Sequence, residues 1–542
     1  MKTKRNRAVQ AAILMLVMAV IAGCSGGGSS PADTGTGDKG TDSEGTERKE
    51  VGYPAKLTYW VELNGNAAAT MQDANGIAAY QELEKRTGTK VEFQHPPAGQ
   101  SKDSFNIMVS SGNLPDVIEY NWATVSGGPD KAIADKTIIR LNELIEQHAP
   151  NLSKVLNENP DYRKLITTDD GNIYVFPFIR GDDYLLTFNG IIVRQDWMEK
   201  LNLQMPETID EWYETLKAIK NGDPNGNGQA DEIPLLLELW MTNINHAFIG
   251  AWGITTGFYQ VDGEVRYGPI QPEFKEYLAT MNRWYAEGLI DPDYAATDGT
   301  LKDAKVTGNQ VGVFMGYMGS SLGRYTDLAA NTIPGFKLAA APNVVLNKGD
   351  TPLLGQKDSP FNGAGAAITT SNKNPEETVK WLDFRYGEEG HMLFNFGVEG
   401  VSYEMIDGYP TYTDEIMNNP DLPVTQAMAK YIQANYSGAF VQDRRYVEQY
   451  ASRPEQREAI ETWMKAQNDR LMPVVTPTAE ESSRYASIMN EVQTYYDEMV
   501  NKFIMGVESL DQFDRFVETL KGMGVEEAIR IQQAALDRFN NR

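Results

Sequence analysis

The chain has 542 residues, which on the usual size of a folding unit makes roughly three units or two large lobes. Hydrophobic residues are 41% and aromatics 10%, enough for a substantial core, so global disorder is excluded. Lys and Arg number 49 against 75 Asp and Glu, a formal net charge of −26 that argues against a nucleic-acid partner, and the single cysteine excludes an internal disulfide, a thiolate zinc cage or a CxxC redox pair.

The first 23 residues read as a secretory signal. Lys2, Lys4, Arg5 and Arg7 form a basic start, and Ala11 to Gly23 carries no polar side chain. The apolar run is too short for an ordinary membrane-spanning helix. It ends Ile21-Ala22-Gly23-Cys24, which resembles the bacterial lipobox and implies cleavage before Cys24 and diacylation of that residue. Residues 24–50 are rich in Gly, Ser, Thr, Asp and Glu and nearly free of large apolar side chains, so they predict a lipidated flexible linker. Random-coil scaling gives it a span of roughly 30 Å. No later segment is apolar for long enough to span a membrane.

The body alternates strands and helices. Lys56–Glu62 predicts a strand, residues 72–86 a helix on Ile77, Tyr80 and Leu83, and Val91–Phe93 the next strand. A helix on Phe105, Met108 and Val109 stops at Gly112-Asn113-Leu114-Pro115, and Asp116–Tyr120 follows as a strand. This order predicts a parallel α/β sheet, whose ligands sit beyond the strands' carboxyl ends. Trp60–Asn66 and Tyr120–Trp122 occupy those places. Further on, Ile173–Pro177 and Leu185–Asn189 predict strands, and Thr208 with Glu211 a capping box ahead of a helix on Trp212, Leu216 and Ile219. Residues 274–287 predict a helix, Gly312–Tyr317 a strand, and Asn374-Pro375 a helix start. From about 425 the pattern is mainly helical.

Residues 223–232 read Asp-Pro-Asn-Gly-Asn-Gly-Gln-Ala-Asp-Glu. Side-chain oxygens alternate at Asp223, Asn225 and Asn227, Gln229 offers a backbone carbonyl, and Asp231 and Glu232 close the set. Hard oxygen donors without nitrogen or sulfur favour Ca²⁺. Position 12 of the run is Pro234 rather than Glu, so the loop is not an EF-hand. A full ring of oxygens leaves little room for substrate and points to a structural ion. The competing reading is a solvated Asn-Gly turn. The four histidines, His95, His148, His246 and His391, are far apart and exclude an HExxH zinc helix.

Ser111–Asp116, Arg194–Trp197, Thr208–Glu211, the 223–232 loop, Tyr285–Pro292 and Gly397–Gly400, in this order behind a lipobox, resemble the extracellular solute-binding proteins of family 1. These are lipoprotein receptors of carbohydrate ABC importers, and the larger alginate-oligosaccharide-binding branch is the best match. The resemblance implies a two-lobe periplasmic-binding-protein-like α/β fold (type II). Each lobe would be a mainly parallel sheet flanked by helices, followed by a helical C-terminal region. Lobe 1 is expected over 51–182 with a return segment over about 360–400, and lobe 2 over 183–359, with 401–542 completing mainly lobe 2. The loop's calcium spacing in the alginate-binding relatives carries over to its six donor positions. The implied partners are an oligosaccharide, ABC permease subunits and the membrane through Cys24, with the protein a monomer outside the bacterial cytoplasm.

Sugars present apolar C–H faces rimmed by hydroxyls, so their sites need aromatic platforms and a few fixed polar groups. Trp60, Trp122, Trp240, Trp252 and Phe361 are the expected stacking residues. Glu62, Asn64, Glu119, Arg180, Glu399 and Tyr403 are the expected polar ones. Trp197, Trp212, Trp284 and Trp381 are set aside as core. Two rival readings stand: a polysaccharide-cleaving surface enzyme, since carboxylate pairs are abundant, and a peptide receptor. No GxSxG nucleophile motif is present.

Overall fold

The computed structural model describes residues 52–434 and 438–542; the signal, the tether and Cys24 lie outside them. The N-terminal alternation folds as predicted. A five-stranded sheet runs in the order Lys90–Gln94, Lys56–Trp60, Val117–Asn121, Ala364–Ile368, Phe176–Pro177. The first three strands are parallel, joined by the helices Ala78–Thr87 and Ser101–Ser111. Gly88 and Gly112 end these helices at φ 72° and 70°, a left-handed backbone open to glycine. The strand Ala364–Ile368 returns from far along the chain and pairs antiparallel on both sides.

A second sheet runs Leu338–Ala340, Asn189–Arg194, Val311–Tyr317, Ile233–Leu236. Val311–Tyr317 is parallel to Ile233–Leu236 and antiparallel to Asn189–Arg194. The strand expected at Leu185–Asn189 starts instead at Asn189, because Asp182 caps a 3-10 turn over Asp183–Leu185. The helix Ile209–Asn221 begins at the predicted capping box: Thr208 Oγ1 accepts from Glu211 N–H, and the Glu211 carboxylate accepts from Thr208 N–H.

Two lobes result, each with its own core. The first gathers Leu57, Val117, Ile118, Phe176, Ile368, Trp381 and Phe394. The second sheet is covered on one side by a core including Trp212, Phe274 and Trp284, and on the other by Phe314, Phe396 and Trp463. Chain segments near residues 180, 360 and 441 lie side by side where the chain crosses between the lobes. Arg180 N–H donates to Pro360 O, and the strand Ile179–Arg180 pairs in parallel with Val441–Gln442. Ala439 and Phe440 pack into the first lobe, so the C-terminal third serves both.

The C-terminal helix Val525–Asn540 seats Val525 and Ala528 in the second lobe's core. Its end reaches back: Arg538 and Arg542 both pair with Asp169, whose side chain is 3% exposed. Arg538 also bonds Glu481 at 3.1 Å. Removing this buried carboxylate takes away the one charged partner of Arg542 among the described residues and leaves Arg538 with Glu481 alone. Asp169→Ala is therefore expected to cost about 3 kcal/mol, read as a lower urea midpoint with unchanged slope. An unchanged midpoint would mean that the clasp contributes nothing.

Candidate functional site

A cavity of about 680 Å³ opens between the lobes. The first lobe supplies the chain beyond Trp60, from Val61 to Ala67. Asn64 fixes this turn by accepting from Asn66 N–H at 2.7 Å, which starts the helix Gly65–Ala68. The second lobe supplies Tyr184, Phe188, Tyr317 and Met318–Ser320. The helices Val424–Tyr431 and Arg444–Tyr450 close the space with Thr425, Ala429, Tyr446 and Tyr450.

The walls are aromatic. Phe188 and Tyr317 lie stacked, centroids 6.0 Å apart and planes 11° from parallel. Tyr446 and Tyr450 stack at 6.3 Å and 12°, one helical turn apart. Gly319 lets the backbone approach this second pair: a Cβ there would collide with the Tyr450 hydroxyl. Gln456 holds the segment by donating to Met318 O at 3.0 Å. Between the walls stand Asn64, Asn66, Asn362, Gln433 and Gln442, amides that both donate and accept.

Besides the tyrosines, four charged or ionisable groups among the described residues border the space: Glu62, His95, Glu119 and Arg180. Arg180 is engaged with Asp358 at 3.0 Å and lies 5.0 Å from the Phe188 ring and 5.7 Å from that of Phe178. Glu119 is buried and accepts from the Tyr59 hydroxyl at 2.5 Å. Burial pushes its carboxyl up, while the Arg385 guanidinium and the Tyr59 hydroxyl pull it down. Arg385 is fully buried, 4.6 Å from the Trp381 ring, 4.9 Å from Phe394, 5.4 Å from Tyr80 and 5.6 Å from Tyr59.

Of the residues expected at the site, Glu62, Asn64, Glu119 and Arg180 come together here. The aromatic expectations go elsewhere. Trp60 is 5% exposed, edge-on to Phe105 and Tyr120; Trp122 and Phe361 are 0% and 1% exposed in the same core, with no face for a ligand. Trp240 is exposed on a short helix away from the lining. Trp252 donates its indole N–H to Glu276 at 3.0 Å, also off the cavity. Glu399 is exposed, and Tyr403 is buried against Phe396; neither lines the space. Among the lining residues missed are the aromatics Tyr184, Phe188, Tyr317, Tyr446 and Tyr450 and the amides Asn362, Gln433 and Gln442.

His246 is not a lining residue either. It ends a helix at φ 54°, with Nδ1 sealed from water and without a hydrogen-bond partner. Burial lowers its pKa from 6.5 to about 4. The unfolded chain therefore takes the proton first, and stability is lost as pH falls from 6.5 towards about 4. His246→Asn, which tolerates the positive φ, is expected to flatten that loss in unfolding curves at about pH 7 and about pH 5. An equally acid-sensitive variant would count against this origin.

In the 223–232 loop, Asp223 accepts from Asn227 N–H at 3.1 Å and Gly228 N–H at 3.2 Å. Gly226 and Gly228 make the tight curve, both at φ 73°. The Asn225 and Asn227 amides donate to Asp231 at 2.9 and 3.0 Å, and Gln229 N–H donates to Asn227 Oδ1 at 2.7 Å. Glu232 Oε1 is buried without a hydrogen-bond partner. Burial pushes that carboxyl up, and so do Asp223 and Asp231. An orphaned carboxylate oxygen facing two others is what a divalent cation would relieve, so the residues fit one. Among the described residues no three His, Cys, Asp or Glu side chains gather as a metal site; the loop's donors include amide and backbone oxygens.

The sequence matches the family model for bacterial extracellular solute-binding proteins over residues 33–392. The fructooligosaccharide ABC transporter substrate-binding protein FusA of Streptococcus pneumoniae serotype 4 is 30% identical over 411 residues, 72% of this chain and 70% of that one. The polygalacturonan/rhamnogalacturonan-binding protein YtcQ of Bacillus subtilis is 28% identical over 408 residues, 72% of this chain and 73% of its own. The crystal structure of the alginate-binding protein AlgQ2 without calcium ion superposes with a TM-score of 0.72 at 28% identity, covering 90% of this chain and 98% of that one. With two lobes around an aromatic-walled cavity, the chain belongs to the bacterial extracellular solute-binding proteins, which bind a substrate and do not transform it.

Proposed function

We propose that the protein is a monomeric, lipid-anchored receptor that captures an oligosaccharide outside the cytoplasmic membrane and delivers it unchanged to an ABC importer. The observation that carries this is the cavity's lining: two stacked aromatic pairs facing five side-chain amides. Rings take the apolar faces of sugar units, and amides exchange hydrogen bonds with their hydroxyls. The names of FusA, YtcQ and AlgQ2 all refer to glycans, which supports the same class of ligand here. In this reading lobe 1 spans 51–182 with the return near 360–400, lobe 2 spans 183–359, and 401–542 serves both. Cys24 carries the anchor and residues 25–50 the reach.

Titration calorimetry against a panel of oligosaccharides and peptides tests the proposal. Saturable binding of sugar with no release of reducing ends is expected; binding of peptides alone would overturn it.

Calcium is part of the proposal. Asp223, Asn225, Asn227, Asp231 and Glu232, with the Gln229 carbonyl, would hold one ion and tie the helix Ile209–Asn221 to the strand Ile233–Leu236. A bound ion at a thousand times its dissociation constant stabilises by about 4 kcal/mol. A chelator is therefore expected to lower the melting temperature while sugar affinity changes little. An unchanged melting temperature would remove the ion from the account.

A further inference from the structure

We propose that the cavity is built for uncharged oligosaccharides and discriminates against uronate chains. This rests on the sugar-receptor reading and deepens it. The lining residues carry two carboxylates, Glu62 and Glu119, and one cation, Arg180. That cation is committed: its guanidinium pairs with Asp358 at 3.0 Å and is flanked by the Phe178 and Phe188 rings. His95 offers no N–H to a ligand. Its Nε2 faces the Ala74 N–H at 3.2 Å and must accept, so Nδ1 carries the proton and donates to Val61 O at 2.7 Å.

Of the cations just outside the lining, Arg444, Arg445 and Arg385 are matched, whereas Arg457, whose charge acts on Tyr184, is exposed to water. Arg444 bonds Glu448 at 2.7 Å, with its guanidinium over the Tyr184 ring. Arg445 pairs with Asp443 at 2.6 Å, and Arg385 behind the wall balances Glu119. Glu62 makes no ion pair among the described residues and faces the opening, so the balance of the space is negative. A sugar carboxylate entering here would shed water and meet no unpaired guanidinium or ammonium among the described lining residues, a loss that amides do not offset. Neutral hydroxyls meet donors and acceptors throughout.

The test is calorimetry on the intact protein with short oligogalacturonates, the same chains methyl-esterified, and neutral fructo- and gluco-oligosaccharides. Neutral or esterified chains are expected to bind roughly 100-fold more tightly than the free acids. Glu62→Lys is expected to narrow that gap by gaining affinity for the acids alone. Free acids binding as tightly as neutral chains would overturn the discrimination and leave the receptor reading standing. Absence of binding by any sugar would overturn both.

Discussion

Phe188→Ala combined with Tyr317→Ala is expected to weaken oligosaccharide binding by about 100-fold, because each ring in a ligand-facing stack carries about 1–2 kcal/mol. The pair stands where the second sheet meets the cavity, and its near-parallel planes present one continuous apolar surface. Phe188 also flanks Arg180, so its loss frees the guanidinium to move. Tyr317 is half-buried, and the double variant should lose some stability as well. The comparison that separates the two effects is Trp240→Ala, which removes a larger ring that is 53% exposed and off the cavity. That variant should bind as the parent does. Parental affinity in the double variant, measured by calorimetry, would remove the wall from the site.

The second large effect is expected at Arg385. Arg385→Met should cost roughly 3–5 kcal/mol, since it leaves the Glu119 carboxylate buried without its counter-charge. Glu119→Gln alone should also destabilise, by stranding the guanidinium inside its ring of Trp381, Phe394, Tyr80 and Tyr59. The double variant should lose clearly less than the two single losses added, because neither unpaired charge remains. Denaturant unfolding of all four proteins completes the cycle. Strict additivity would show that the two groups do not sense each other. Tyr59 is the physical link, since its hydroxyl donates to Glu119 while its ring faces Arg385.

Strand–helix alternation made the first lobe readable from residue 56 to 121, because short connections leave parallel pairing as the natural outcome. The loop after the first strand lies at the cavity, bringing Glu62 and Asn64 to its lining, whereas Glu119 borders it from within the strand Val117–Asn121 and Tyr120–Trp122 does not reach it. The aromatic choices failed for a specific reason. Trp60 and Trp122 sit at strand ends, but their side chains turn inward onto Phe105. Sequence position marks the right loop without giving the direction of the ring. The opposite wall was missed because it comes from residues 184–188, 317–320 and 425–450, whose approach depends on the crossings near 180, 360 and 441. One signal was available. Tyr446 and Tyr450 are four apart on a short helix, so their rings share a face.

The placement of the indoles decides how this molecule can be watched. Seven of nine are 5% exposed or less, and none borders the cavity. The emission of the seven buried indoles should be blue and, for lobes that move as rigid pieces, nearly blind to cargo, because each keeps the same neighbours. A flat intrinsic-emission titration would therefore say nothing about affinity, and a dye placed at the mouth would be the optical probe of choice.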